Sequence, residues 1–227
     1  MTNPIKILIC GYSHCGTTIL KSIIGHIEEV EEIIDECDKL PKNISTDKKY
    51  ILFKFPQARQ IFFSEKYKDY IKIFIIRNPL FVFSSINKRN NHYNLSSYHS
   101  IEKYIKVVEM FLKYKKKQKK NIYIIRYEDL FENNFHNLKE ILNSIGMNYS
   151  NDIFDNTKYN NYSHTGIKIV QEKPKNSEHK IYRTWQINQP FTSKNDISKL
   201  DLSDKQKKIL VKNPYILQLY PDINSMI

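Results

Sequence analysis

Four apolar segments alternate with amphipathic segments of helix length, and this order restricts the fold more than any other feature of the chain. The segments predicted as strands are 6–10, 50–53, 71–76 and 121–125, and helical patterns cover 17–27, 58–67, 80–88, 101–116 and 131–145. Strands that are apolar throughout are buried on both faces, as in parallel sheets covered by helices on each side. We therefore predict an α/β fold with three layers, α/β/α, around a mainly parallel sheet of about four or five strands.

The length of the chain favours a single domain. At 227 residues and 27.2 kDa it has room for one hydrophobic core. We predict one domain over 1–227, with an α/β core at 1–147. From about residue 148 the sequence is rich in Asn, Tyr, Lys and Ser without a clear period, so 148–227 is expected to form lid segments over the sheet and a terminal helix at 203–212.

The cysteine content and the N-terminal sequence favour a cytoplasmic protein. Three cysteines without a repeated spacing do not form a disulfide framework. A strand is predicted almost from the first residues, which leaves no room for a signal peptide, and no apolar run is long enough to span a membrane.

The net charge of +12, from 36 Lys and Arg against 24 Asp and Glu, indicates an anionic partner of some kind. Much of the lysine lies in runs such as 115–117 and 119–120, which fit a solvated helix face. Sixteen tyrosines among so many cations also suit a non-enzymatic binder of nucleic acid or another polyanion, because basic grooves with aromatic rings bind single strands. That alternative leaves the two ordered motifs described next unexplained.

The segment ILICGYSHCGTTIL, residues 7–20, has the outline of a phosphate-binding loop between a strand and a helix. Gly11 and Gly16 let the backbone curl so that successive amide N–H groups converge, and the helix adds the positive end of its dipole. Thr17 and Thr18 add hydroxyl donors. The arrangement resembles the fold of P-loop nucleoside triphosphatases, in which a lysine would stand where this chain has Thr17.

Two other phosphate chemistries fit this loop less well. Without the lysine, and without a metal-binding Asp at the end of a later strand, a degenerate P-loop nucleotide kinase is a weaker alternative. A cysteine phosphatase would need an Arg six residues after Cys15, and the chain has Lys21 there. Cys15 is therefore interpreted as a small residue that fills the loop.

A second anion motif lies in IFIIRNPLFVFSSINKR, residues 73–89. Arg77 ends a predicted strand, and Pro79 starts a helix at a position where its missing N–H is harmless. Ser85 and Arg89 are four residues apart and share one face of that helix. A charged fork together with a hydroxyl is a combination that binds phosphate, so Arg77, Ser85 and Arg89 are expected to surround one anion.

Together the two motifs resemble those of the sulfotransferases that use 3′-phosphoadenosine 5′-phosphosulfate (PAPS). In that family a Lys or Arg followed by Ser-Gly-Thr-Thr grips the 5′-phosphosulfate. His14, Cys15, Gly16, Thr17 and Thr18 occupy those positions in this chain, and Ser13 just before them is also expected to bind the cofactor. The family's second motif, Arg-x-Pro with a Ser eight residues after the Arg, holds the 3′-phosphate. It matches Arg77, Pro79 and Ser85, and Arg89 matches a further basic residue of some members.

Three shorter segments extend the resemblance to about 6–146 and, loosely, 180–190. IIRYEDL at 124–130 is similar to the family's strand-to-helix junction, and ILFKFP at 51–56 to its lysine-proline strand end. YRTWQ at 182–186 is similar to a segment that covers the nucleotide. By this resemblance Lys180 and Arg183 add charge near the 3′-phosphate, and Trp185 packs near the adenine.

The resemblance implies an enzyme, a PAPS-dependent sulfotransferase. The sulfuryl group moves in line from PAPS to an acceptor hydroxyl or amine and leaves adenosine 3′,5′-bisphosphate (PAP). Catalysis then consists of positioning and of neutralising charge on the leaving phosphate, and no metal is required. The acceptor stays open among a glycan, a phenol or tyrosine, and a small alcohol. No membrane partner is expected, and a nucleic-acid partner is disfavoured.

His14 departs from the family pattern, because members carry a Lys or Arg at its position. Histidine has a reference pKa of ~6.5 and is mostly neutral at pH 7, whereas a dianionic ligand beside it raises the pKa. His14 is expected to stabilise the leaving group, and Lys54 to contact the transferring group or the bridging oxygen. A catalytically inactive relative that still binds PAPS is the alternative at this position.

The general base is expected at Asp35 or Glu36, because some members carry an acidic residue after the first helix. The histidine that others place just after the strand-end lysine is missing, since Phe55 and Pro56 follow Lys54. His26 is the next candidate. The alternative is that both carboxylates merely solvate an acidic helix that includes residues 28–32.

Overall fold

A five-stranded parallel sheet forms the centre of the part of the chain that the structure describes. The computed structural model describes residues 3–33, 44–55, 67–93, 99–117, 119–155 and 195–227. The strands are β1 (Ile5–Gly11), β2 (Val30–Glu32), β3 (Tyr50–Phe55), β4 (Ile71–Ile76) and β5 (Ile122–Arg126). Their order is β2-β3-β1-β4-β5, and every pairing is parallel.

Helices cover both faces of this sheet. They are α1 (Thr17–Ile24), α2 (Pro79–Tyr93), α3 (Ile101–Lys117), α4 (Tyr127–Leu130), α5 (His136–Ile145), α6 (Asp204–Lys212) and α7 (Pro214–Leu219). Ile7 and Ile9 of β1 pack in one core cluster with α1 and α5, whereas Cys10 packs in a second cluster with α2, α3 and α7. Because successive side chains of a strand point to opposite faces, both clusters grow from the same strand. The predicted three-layer α/β/α class is confirmed.

The acidic segment after α1 is a strand where a helix was the alternative interpretation. Val30–Glu32 pairs in parallel with Tyr50–Leu52 of β3. The Lys21 ammonium lies 3.5 Å from a Glu32 carboxylate oxygen, and the Thr46 hydroxyl donates to the Glu31 carboxylate at 3.3 Å. These partners come from other parts of the chain, so tertiary contacts override the local helix preference of the glutamates.

The start of α5 also differs from the sequence prediction. α5 begins at His136 rather than at 131, because Asn133, Asn134 and Phe135 have φ values of 46°, 54° and 60°, which a right-handed helix does not allow. The terminal helix α6 begins where it was expected, with Ser203 and Gln206 forming a capping box. Within the described ranges, no helix has the length and apolar character needed to cross a membrane.

Hydrogen bonds accepted by a partly buried carboxylate join the ends of β4 and β5. Glu128 of α4 accepts from the Asn78 backbone N–H at 2.8 Å and from the Tyr220 hydroxyl at 3.3 Å. The Tyr104 hydroxyl of α3 donates to the Arg77 carbonyl oxygen just before Asn78. Burial raises the pKa of Glu128 above its ordinary value. The segment RYEDL therefore connects the last strand to the backbone that follows β4.

The carboxyl ends of the strands meet at one edge of the sheet. Cys10 is in register with Phe55, Gly11 with Ile75, and the last residue of β4 with the last residue of β5. β1 lies between β3 and β4, so the chain passes from one side of β1 to the other after β3. Sheets of this kind bind ligands in the crevice at such a reversal.

Gly16 and Gly146 allow a test of how tightly the loop after β1 is packed. Both have positive φ, 92° and 80°, but an added Cβ at Gly16 would lie 2.4 Å from the Tyr127 ring, whereas at Gly146 the nearest atom is 4.0 Å away. We expect Gly146→Ala to lower the free energy of unfolding by ~1–2 kcal/mol through backbone strain alone. Gly16→Ala should cost ~2–5 kcal/mol, because overpacking adds to the strain.

Urea unfolding followed by circular dichroism measures both changes. An equal cost for the two substitutions would contradict the close packing of Gly16 on Tyr127.

Candidate functional site

The loop from Tyr12 to Gly16 joins β1 to α1 at the crevice edge. His14 and Gly16 both adopt left-handed φ values, 65° and 92°, and the Cys15 N–H donates to the Tyr12 carbonyl oxygen at 3.2 Å. The first turn of α1 has no acidic residue. A curled backbone followed by a helix N-terminus offers N–H groups and a positive dipole end to an anion.

A hydrogen bond between two side chains joins the two sequence motifs. His14 Nδ1 lies 2.8 Å from Ser85 Oγ on α2, although the residues are 71 positions apart. Arg77 adds a longer contact of 3.5 Å from Nη1 to the His14 carbonyl oxygen. The predicted loop and the predicted Arg-x-Pro motif are therefore parts of one site.

Arg77 is buried at the end of β4 and stacks on an aromatic ring. Its guanidinium carbon lies 4.3 Å from the Tyr127 ring centroid and 5.6 Å from that of Phe81. Its Nε and Nη2 both donate to Asn195 Oδ1, at 3.1 and 2.8 Å. An arginine over an aromatic face keeps its charge while it is partly removed from water.

Lys54 reaches the start of α1 from the neighbouring strand. It lies in β3 opposite Ile9 of β1, and only 1% of it is exposed. Its Nζ donates to Thr18 Oγ1 at 2.8 Å. The parallel pairing of β3 with β1 therefore brings the strand-end lysine beside Thr18, in the first turn of α1.

Burial, together with the cations around it, determines the charge state of His14. Burial lowers the pKa of His14 to about 3, with further contributions from Arg89, His99, Arg77 and Lys54. The imidazole is therefore neutral at pH 7 when no ligand is bound. Several cations held close together in a buried place form a site for an anion, because a negative ligand relieves their mutual repulsion.

Cys15 and Ser13 complete the loop. Burial raises the pKa of the fully buried Cys15 thiol to about 12, so it is protonated at neutral pH and unsuited to act as a nucleophile. This agrees with its interpretation as a loop-filling residue. Ser13 is partly exposed in the same loop.

Several predicted residues lie outside the described ranges: Asp35, Glu36, Lys180, Arg183 and Trp185. His26 is described, and its Nδ1 is 2.6 Å from the Ser22 carbonyl oxygen. It follows the far end of α1, and eight helical residues span about 12 Å, so it is not beside the loop. Among the described residues, no group of three or more His, Cys, Asp or Glu is arranged to hold a metal ion.

The structure adds three residues that the sequence analysis did not place in the site. Tyr127 directly follows β5. Because the carboxyl ends of parallel strands meet at one edge of the sheet, its position in the sequence could have predicted its place in the site. His99 lies at the start of the segment before α3, with its ring centroid 6.2 Å from that of His14. The sequence around Asn195 contains no pattern that predicts its contact with Arg77.

The sulfotransferase domain family matches residues 72–207, which is more than half of the chain. The chain therefore belongs to the sulfotransferase family. This confirms the resemblance seen in the sequence and the enzyme class it implied, a PAPS-dependent sulfotransferase that moves a sulfuryl group to an acceptor. No curated protein matches the chain.

Solved structures with low sequence identity share the fold. A crystal structure of mouse sulfotransferase SULT7A1 complexed with PAP has a TM-score of 0.65 and 15% identity, and the match covers 100% of this chain and 90% of that one. Retinol dehydratase in complex with androsterone and inactive cofactor PAP has a TM-score of 0.50 and 10% identity, over 99% and 81% of the two chains. These matches agree with the three-layer architecture.

Substitutions of two adjacent serines of α2 distinguish a role in the site from a role in stability. Ser85 contacts His14, whereas Ser84 Oγ accepts from the Asp201 backbone N–H at 2.8 Å. We expect Ser85→Ala to weaken the binding of PAP by about tenfold or more, as for a hydrogen bond to a charged group. Ser84→Ala should weaken PAP binding far less, because Asn87 Nδ2 still donates to the Asp201 carbonyl oxygen at 2.8 Å, and it should lower the free energy of unfolding by ~1 kcal/mol.

Isothermal titration gives the affinities, and urea unfolding gives the stabilities. Equal loss of affinity in both variants would show that Ser85 acts only through the packing of α2.

Proposed function

We propose that PAPS binds across the loop after β1 and the start of α2, with its two anionic ends in the two motifs. The observation that carries this proposal is the 2.8 Å hydrogen bond between His14 Nδ1 and Ser85 Oγ. A single ligand with anionic groups at its 5′ and 3′ positions accounts for both motifs at once. Membership of the sulfotransferase family supplies the ligand's identity.

In this proposal the backbone of Ser13–Thr18 holds the 5′-phosphosulfate, with its N–H groups and the N-terminus of α1 as donors. Arg77, Ser85 and Arg89 hold the 3′-phosphate. A guanidinium fork with a hydroxyl suits a tetrahedral anion. Lys180, Arg183 and Trp185 stay in the proposal as contributors to the 3′-phosphate and adenine sites, by resemblance alone.

Transfer then breaks the bond between sulfur and the bridging oxygen of PAPS and forms one between sulfur and the acceptor oxygen or nitrogen. The electron pair stays on the bridging oxygen, so negative charge grows on the 5′-phosphate. Lys54 and a protonated His14 stabilise that charge, which lowers the barrier because they are already in place. A base takes the acceptor's proton, and Asp35 or Glu36 is the proposed base.

The acceptor in this proposal is a hydroxyl or amine of a glycan, a phenol or tyrosine, or a small alcohol. PAP is the product, no metal takes part, and the protein acts in the cytoplasm without a nucleic-acid partner. An inactive relative that binds PAPS without transfer is the competing form of the proposal, because His14 replaces a permanent cation.

Titration calorimetry with PAP, AMP and ATP–Mg tests the donor site. We expect micromolar binding of PAP and at least about tenfold weaker binding of AMP, because AMP lacks the 3′-phosphate that Arg77 contacts. Arg77→Ala should remove this difference, and Arg77→Lys should retain part of it through its charge. Circular dichroism checks that both variants fold. Equal binding of all three nucleotides would contradict the proposal, and preference for ATP–Mg would favour a nucleotide kinase.

His14 should take up a proton when the nucleotide binds. Its pKa is about 3 in the empty site, and adjacent phosphate raises it. The complex then binds more protons than the free protein, so the affinity for PAP rises as the pH falls through the raised pKa. At pH 7.5 the ligand's own phosphates, with a second pKa of ~6, contribute little. Titration in buffers of different ionisation enthalpy measures the uptake.

His14→Arg is the matched control for this proton. His14→Arg should take up no proton when PAP binds, and it should keep most of the turnover. His14→Ala should lose about 100-fold in kcat, as for removal of one charge-stabilising donor. Wild-type turnover in His14→Ala would remove the proposed role of His14.

A further inference from the structure

Arg77, the residue assigned above to the 3′-phosphate, is held by a neutral amide. Both Nε and Nη2 of its guanidinium donate to Asn195 Oδ1, at 3.1 and 2.8 Å. These two atoms form one edge of the guanidinium plane. The Tyr127 ring covers a face of the same group, at 4.3 Å from its central carbon. The Asn195 contact fixes the rotation of the guanidinium within its plane. The Tyr127 ring fixes the tilt of that plane.

The segment that carries Asn195 is anchored to α2, the helix that also carries Ser85. The Asp201 backbone N–H donates to Ser84 Oγ, and Asn87 Nδ2 donates to the Asp201 carbonyl oxygen, both at 2.8 Å. Directly after Asn195, the Asp196 side chain accepts from the Ser198 N–H and caps a short 3-10 helix. The amide therefore reaches Arg77 from a structured and fixed base.

The neutrality of this acceptor matters for an anion site. A carboxylate in the same place would accept the same two N–H groups, but it would also neutralise the guanidinium and compete with a phosphate. Glu128 is close enough to interact electrostatically with Arg77, yet its oxygens accept from the Asn78 N–H and the Tyr220 hydroxyl. An amide orients the guanidinium and does not itself cancel its positive charge.

We propose that Asn195 is a positioning residue of the 3′-phosphate site, which orients the Arg77 guanidinium without neutralising it and so sets the preference for nucleotides with a 3′-phosphate. This inference rests on the proposed function, since it takes Arg77 to bind that phosphate. Asn195 acts through Arg77 and is not assigned a contact with the reacting atoms.

The experiment compares the affinities of PAP and AMP by titration calorimetry in the wild type, Asn195→Asp and Asn195→Ala. The readout is the dissociation constant of AMP divided by that of PAP. This ratio reports on the contribution of the 3′-phosphate alone. Asn195→Asp should lower this ratio by at least about tenfold, because an ion pair replaces a neutral contact. Asn195→Ala should lower it by about three- to tenfold through lost orientation, and the affinity for AMP should stay unchanged in both variants.

Asn213→Asp is the matched control. Asn213 caps α7 through bonds to the N–H groups of Tyr215 and Ile216, and Asp is an equally good cap, so this variant changes the net charge alone. Its ratio should equal that of the wild type. If Asn195 had a merely structural role, its variants would have a lower melting temperature and would bind PAP and AMP more weakly by the same factor.

Three results would overturn the proposal. A wild-type ratio retained in Asn195→Asp would show that Asn195 does not control the charge of Arg77. Tighter binding of PAP by Asn195→Ala would show that the amide occupies the place of the phosphate and is displaced by it. A ratio near one in the wild type would overturn the assignment of Arg77 to the 3′-phosphate, and the role of Asn195 with it. A high wild-type ratio that Asn195→Asp retains would overturn the role of Asn195 alone, so the two failures are distinguishable.

Discussion

The position of β1 between β3 and β4 is the constraint on which the site depends. Parallel pairing on both sides brings the ends of three strands to one edge, where the loop after β1, Lys54 and Arg77 meet. None of these groups is near another along the chain. Backbone hydrogen bonds and the buried core clusters on both faces fix the strands, so the geometry of the anion site follows from the sheet.

Buried cations require stabilisation that does not cancel their charge. Lys54 donates to the Thr18 hydroxyl, and Arg77 donates to the Asn195 amide oxygen and stacks on Tyr127. These partners are neutral, so they do not themselves cancel the positive charge of Lys54 and Arg77. Burial and, after it, the neighbouring cations lower the pKa of His14 and keep it neutral until an anion binds. A histidine in this position makes the charge of the loop depend on the ligand, which a lysine would not do.

The sequence predicted some long elements closely, whereas it missed the shortest strand and the start of α5. The apolar run of β4 and the amphipathic period of α3 are strong local signals, and the structure has both within one residue of the prediction. β2 has only three residues, and it exists because Tyr50–Leu52 of β3 offers a parallel partner. α5 starts late because three residues before it adopt left-handed φ, which no periodic pattern indicates.

The sequence by itself determined the fold class, the loop and the Arg-x-Pro motif, because these depend on residue order over short distances. Glycine spacing, strand apolarity and a helix-starting proline carry that information locally. Only the tertiary structure decided that His14 bonds to Ser85, that Tyr127 supports Arg77 and that Asn195 holds its guanidinium. Those contacts join segments from four different places in the chain, and the packing of the sheet and helices, rather than any spacing in the sequence, brings them together.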